Sequence, residues 1–260
     1  MSGDVTTAGL RLARRLLNRK FRSSAGEFLV EGPQSVAEAV EYGYATRVLA
    51  TAAAAAAHPS LVAGGFDTLT PGQVKDLADT VHSAGIFAIC RTRTWSVDDV
   101  IHDGTGLIVI CAQIRDPGNL GTVIRCADAF GADAVVLTPG SVDPTNPKVV
   151  RASVGSIFHL PIVTSVELSV AADEARAHGM TVLAADGSGR DITELARSGQ
   201  LARPVAWIMG NEAWGLPAQD RAQADQVVRI PLWGKAESLN LATAAAVCLF
   251  TTASCRHDPH

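Results

Sequence analysis

The chain has 260 residues, 47% of them hydrophobic and 18% charged, with a formal net charge of −4. That balance suits one large packed domain or two modest ones, and it excludes a disordered chain or a protein that coats nucleic acid indiscriminately. No apolar run reaches the roughly 18 residues of a membrane span and no apolar signal core precedes the first basic residues, so a cytoplasmic protein without a membrane partner is expected.

Charge is unevenly spread. Residues 1–26 hold Arg11, Arg14, Arg15, Arg19, Lys20 and Arg22 against the single acid Asp4, so a basic arm precedes an acidic body. Such an arm is either a solvated helix face or a phosphate-binding surface. After it, 27–31 reads as a short strand closed by Gly32 and Pro33. A helix over 34–42, a strand over 46–51, a helix in the alanine run 52–58, a strand over 66–69, a helix over 71–80 and a strand over 85–90 complete a small α/β domain, residues 1–93. The pattern lapses over 91–106, and 94–106 is expected to be a linker.

The second domain, 107–260, opens with an almost wholly apolar strand over 107–114, as a parallel sheet buried on both faces requires. Strands at 134–137, 159–163, 180–184, 205–209 and 226–230 alternate with helices at 123–130, 166–178, 191–196 and 239–254. The pattern predicts a doubly wound parallel sheet that binds ligands beyond the carboxyl ends of its strands. Gly187-Ser188-Gly189 continues to Ile192 where a dinucleotide fingerprint needs its third glycine, and no Walker lysine is present, so hydride transfer and nucleotide hydrolysis are disfavoured.

The five cysteines are scattered and odd in number, and read as reduced, mostly buried thiols. The histidines are dispersed, with His257 and His260 on the tail, and no metal site is assigned.

Three polar clusters follow apolar strands. In the first, Asp116-Pro117-Gly118-Asn119-Leu120-Gly121 runs into a helix that carries Arg125 among apolar residues, where a buried guanidinium needs an anionic partner. The second is the stretch 210–216, with Glu212 at a strand end. The third is 234–240, where Ser238 stands as the expected N-cap of the last helix, beside Asn240.

In this order and spacing the clusters resemble the SpoU (TrmH) branch of the SPOUT methyltransferases. Asn119-Leu-Gly-x-x-x-Arg125 looks like the first motif and Met209-Gly210-x-Glu212-x-x-Gly215-Leu216 like the second. Ile230-Pro231-x-x-Gly234 with Ser238-Leu239-Asn240 looks like the third. Residues 148–161 match a further signature, and 20–38 resemble the amino-terminal RNA-binding domain of many members. The third motif departs from the common Ser-Leu-Asn-Val-Ser, with Leu241 and Ala242 in its last two places.

The resemblance implies a parallel α/β sheet that ends in a trefoil knot. It also implies a homodimer around that knot, and S-adenosylmethionine held against Gly210, Ile230, Leu232 and Leu239. The reaction implied is methyl transfer to a ribose 2′-hydroxyl of RNA, with ribosomal RNA expected. Transfer RNA and a non-catalytic RNA-binding protein are the alternatives. Arg125 is then the residue implicated in activating the hydroxyl, with Asn119, Glu212, Ser238 and Asn240 arranging substrate and cofactor. Because a guanidinium stays protonated, Arg125 is expected to bind a phosphate and stabilise the emerging alkoxide, with Glu212 fixing it or favouring the sulfonium. Arg19, Lys20 and Arg22 are expected to grip RNA phosphates.

Overall fold

The structure is a computed structural model that describes residues 2–80 and 82–257; His260 of the tail pair lies outside the described residues. From the amino terminus come β1 (Ser2–Asp4), α1 (Thr7–Arg15), α2 (Arg19–Ala25), β2 (Glu27–Glu31), α3 (Pro33–Glu41), β3 (Ala45–Ala50), α4 (Ala52–Ala57), β4 (Phe66–Thr68), α5 (Pro71–Leu77) and β5 (Ile86–Arg91). There follow β6 (Leu107–Cys111), α6 (Pro117–Ala129), β7 (Ala134–Leu137), α7 (Pro147–Ser153), β8 (Ile162–Thr164), α8 (Leu168–Ala177), β9 (Thr181–Asp191), α9 (Ile192–Arg197), β10 (Val205–Met209), α10 (Ala218–Arg221), β11 (Gln226–Arg229) and α11 (Leu241–His257). They form two compact units, residues 1–93 with 143–159, and residues 94–142 with 160–260.

Among the described residues the first unit has a five-stranded sheet in the order β1-β4-β3-β5-β2, with β5 antiparallel to both neighbours. Leu16, Leu29, Leu49, Leu77, Phe87 and Ile89 form its core. The segment 143–159, expected in the second half, belongs here because it supplies the partner of a buried cation. Arg22 is 3% exposed. Its Nη2 donates to Asp143 Oδ2 at 2.6 Å, its Nε to Thr145 Oγ1 at 3.1 Å, and its Nη1 to the Leu16 and Leu17 carbonyls at 3.1 and 3.0 Å. Phe158 extends the attachment by packing on Phe28 and Tyr44, with ring centroids 6.2 and 5.0 Å apart. The expectation that Arg22 grips RNA is therefore corrected, since its charge is neutralised inside the unit. Arg19 and Lys20, on the first turn of α2, are exposed.

The second unit's sheet, among the described residues, has six parallel strands in the order β11-β9-β10-β6-β7-β8. Residues 94–106 do not act as a linker. Val100 and Ile101 are buried with Ile108, Ile208 and Ala171, and Trp95 and Val97 pack against that core. The expected strand 107–114 stops at Cys111, and α6 starts at Pro117, earlier than the expected 123. Asp116 causes the early start: its carboxylate accepts from Asn119 N at 2.8 Å as N-cap, and Pro117 occupies the first turn. Cys90, Cys111 and Cys248 are buried and Cys126 and Cys255 half-buried, all five as free thiols.

One ionisable contact sets a pH response. His178 lies between two carboxylates, Nδ1 2.9 Å from Asp103 and Nε2 3.1 Å from Glu174. The Asp103 hydrogen bond, followed by that of Glu174, raises the imidazole pKa above its ordinary value. Its stabilising contribution is complete below the unfolded pKa of about 6.5 and is lost as pH rises through the higher folded value. Between about pH 6 and 8 the wild-type Tm should fall more steeply than that of His178→Gln in pH-scanned melts. Parallel curves would remove His178 as the cause.

Candidate active site

The parallel strands β9, β10 and β6 lie side by side, so the loops after Ala184, Met209 and Cys111 leave from one edge of the sheet. The loop after β10 is a closed turn, in which the backbone groups of Asn211 and Gly215 exchange two hydrogen bonds of 2.9 Å. Gly215 has φ +64°, a conformation natural to glycine. Asn211 Nδ2 donates to the Gln113 carbonyl at 2.7 Å, and Asn211 Oδ1 accepts from Ala213 N at 2.8 Å, which ties the turn to the β6 loop. Gly210 has no room for a side chain: a Cβ there would lie 2.6 Å from the Gly215 carbonyl carbon.

Glu212 sits on this turn and does not begin a helix. Its carboxylate accepts from Asp116 N at 3.0 Å, Arg115 N at 3.2 Å and Asn119 Nδ2 at 3.3 Å, at the start of α6 where backbone donors lack helical partners. Asn240 Nδ2 donates to Asn119 Oδ1 at 3.0 Å. A relay of Glu212, Asn119 and Asn240 thus joins all three sequence clusters.

Asn240, rather than Ser238, caps α11, because its Oδ1 accepts from Ala242 N at 2.9 Å and Thr243 N at 3.3 Å. Two residues separate Ser238 from the helix start, which leaves the serine exposed on the wall of a cavity. Arg125 is also corrected, for it is exposed on α6 and not buried. It stands six helical positions after Asn119, which turns the two side chains about 120° apart and spaces them about 9 Å along the axis. Within one chain they do not converge, and Glu212 binds the two amides just before α6, those of Arg115 and Asp116, instead of Arg125.

The cavity, about 250 Å³ and open to solvent, is lined by Gly210, Glu212, Ile230, Leu232, Ser238 and Leu239 among the expected residues. Sequence patterns alone missed Asp186, Gly187 and Glu237, which also line it. The first two lie in a bulge. Ala184 pairs with Val227 and Arg190 with the next residue, Val228, so 185–189 loop out of β9 towards the cavity. Gly189 makes this possible by close backbone approach, since a Cβ there would lie 2.3 Å from the Val227 carbonyl. The signal was the glycine pair around Ser188, legible as a bulge rather than a failed fingerprint.

Burial pushes the Asp186 carboxyl pKa up, but hydrogen bonds from Ser188 and the Arg221 guanidinium outweigh it and hold the pKa below the ordinary value. Burial, with the Glu212 charge adding to it, pushes the Cys111 thiol up to about 12, which makes it inert beside the site. Apolar walls, a glycine floor and the carboxylates of Asp186, Glu212 and Glu237 suit an organic cation with a flat apolar part. Among the described residues no group of three or more His, Cys, Asp or Glu is placed to hold a metal.

An α/β enzyme with its ligand site at the carboxyl ends of parallel strands is the class these features define. Comparison with known proteins narrows it. Residues 106–250 match the profile of the SpoU rRNA Methylase family, and residues 9–88 match the MRM3-like substrate binding domain. The 23S rRNA (guanosine(2553)-2′-O)-methyltransferase RlmP of Bacillus subtilis is 34% identical, over 91% of this chain and 92% of its own. The 23S rRNA (uridine(2479)-2′-O)-methyltransferase of Streptomyces viridochromogenes is 30% identical, over 95% and 93%. The SpoU methyltransferase AviRb from the same organism, solved in complex with AdoMet, superposes with a TM-score of 0.84 at 28% identity, covering 97% of this chain and 99% of its own. The chain belongs to the SpoU rRNA methylase family.

Proposed function

We propose that this protein transfers a methyl group from S-adenosylmethionine to a ribose 2′-hydroxyl of ribosomal RNA. The observation that carries the reading is the cavity at the strand ends, bordered by the Glu212–Asn119–Asn240 relay. Two relatives named as 23S rRNA methyltransferases favour ribosomal over transfer RNA. When bound, S-adenosylmethionine supplies an electrophilic methyl group on a cationic sulfonium.

The chain's own residues do the rest. Ile230, Leu232 and Leu239 would hold the cofactor's apolar adenine, with Gly210 on the cavity wall beside them. Asp186, Glu212 and Glu237 give the cavity negative charge that favours a cation. Asn119 and Asn240 orient the ribose. Arg125 holds the neighbouring phosphate and stabilises the alkoxide, while the hydroxyl proton leaves to that phosphate or to water. Ser238 supplies a hydroxyl on the cavity wall. Arg19 and Lys20 contact RNA phosphates from the first unit.

A homodimer is part of the proposal. Its support is an apolar surface that includes Trp233, 89% exposed, beside Pro231, Ile192 and Val247, together with Phe250, 59% exposed on α11. A second copy, or the RNA itself, would bring Arg125 to the ribose that one chain's geometry keeps from it. The carboxyl-terminal trefoil knot also belongs to the proposal. Its support is the return of the chain, through 230–240, from the sheet-edge strand β11 to pack α11 on α6 and β10.

Calorimetric titration with S-adenosylmethionine tests the pocket. Leu239→Ala should weaken binding by about tenfold, the effect of losing part of a leucine's burial. Unchanged affinity would place the cofactor elsewhere.

A further inference from the structure

Trp214 stands on the turn that carries Glu212, 48% exposed. The turn does not need an aromatic residue, because the Asn211–Gly215 pair and the Asn211 side chain already close it. The Arg115 guanidinium carbon lies 4.8 Å from the centre of the indole ring. Both partners are anchored: Arg115 N donates to Glu212 Oε2 at 3.2 Å, and Trp214 is flanked by the two backbone bonds of the turn. A braced aromatic ring with free surface and a planar cation against it therefore stands next to Glu212 and Asn119.

Such a pair favours a planar, electron-rich partner carried on an anionic chain. Trp233 provides the contrast. It is exposed among Pro231, Ile192 and Val247, an apolar setting that suits protein contact, whereas Trp214 has a cation as its ring partner. We propose that Trp214, braced by Arg115, stacks on an RNA base adjacent to the methylated ribose and so positions the strand. This rests on the RNA methyltransferase reading.

Two measurements test it. Steady-state methyl transfer to unmodified ribosomal RNA transcript should show KM for RNA raised roughly 5- to 150-fold in Trp214→Ala, the range of a lost base–aromatic stack. The kcat and the S-adenosylmethionine Kd should stay within twofold, Trp214→Phe should recover most of the loss, and Arg115→Ala should fall between. Independently of turnover, a short single-stranded RNA should quench wild-type tryptophan fluorescence and lose most of that quench in Trp214→Phe. If wild type methylates RNA but Trp214→Ala keeps its KM, the subsite is wrong and the enzyme reading stands. If wild type transfers no methyl group, the enzyme reading fails, and a quench retained in Trp214→Phe refutes the stacking separately. A changed sedimentation coefficient in Trp214→Ala with intact RNA affinity would assign the ring to protein contact instead.

Discussion

Arg22→Ala lowers the unfolding free energy by about 3–5 kcal/mol, the usual cost of removing one partner of a buried ion pair. The substitution strands the Asp143 carboxylate and leaves the Leu16 and Leu17 carbonyls without the side-chain donor that now satisfies them. The segment 143–159 then loses its most buried polar attachment to residues 1–93 and keeps the pairs of Arg151 with Asp79 and His159 with Glu38. Urea denaturation followed by circular dichroism measures the loss, and Lys20→Ala, on the exposed side of the same helix, should change stability by less than about 0.5 kcal/mol. Arg22→Ala/Asp143→Ala should recover part of the loss, since no charge is then left buried and unpaired. A loss below about 1 kcal/mol in the single variant would return Arg22 to the solvent-facing cations.

Arg125→Ala reduces kcat for RNA methylation by about 10²–10³-fold, the scale of losing one donor that stabilises a developing oxyanion. Its exposed position predicts unfolding free energy within about 0.5 kcal/mol of wild type, so the loss will not reflect misfolding. S-adenosylmethionine affinity should be unchanged because Arg125 does not line the cavity. Arg125→Lys should recover only part of the rate, since an ammonium keeps the charge but not the planar fork that meets a phosphate in two places. Single-turnover kinetics separates this from substrate binding. Near-wild-type rates for both variants would remove Arg125 from the chemistry.

The second sheet is legible in the sequence because its central strands are buried on both faces. Residues 107–111 and 205–209 are continuous apolar runs and every one of them is buried. Element ends are less legible where one residue type serves two purposes. Asp116-Pro117-Gly118 has the composition of a turn and acts as a helix start, because the carboxylate meets Asn119 N. Ser238 and Asn240 are both good caps, and only the position of the first helical turn selects the asparagine.

Direction is the other hidden quantity. Arg19, Lys20 and Arg22 carry the same charge within four residues, yet burial of the last depends on Asp143, 121 positions away. The polar stretch 94–106 resembles a linker until Val100 and Ile101 find the core that holds it. The three site clusters were visible because each follows a strand that reaches the same sheet edge. The bulge at 185–189 is marked in the sequence only by Gly187 and Gly189, because its shape depends on the mismatch between β9 and β11.

Tritium transfer from methyl-labelled S-adenosylmethionine to ribosomal RNA, followed by alkaline hydrolysis, tests the central claim most directly. The account predicts label in an alkali-resistant dinucleotide, because a methylated 2′-oxygen cannot attack the neighbouring phosphate. Label in an alkali-sensitive mononucleotide would mean methylation of a base, and no label from active cofactor-bound protein would mean that the fold serves RNA binding without transfer.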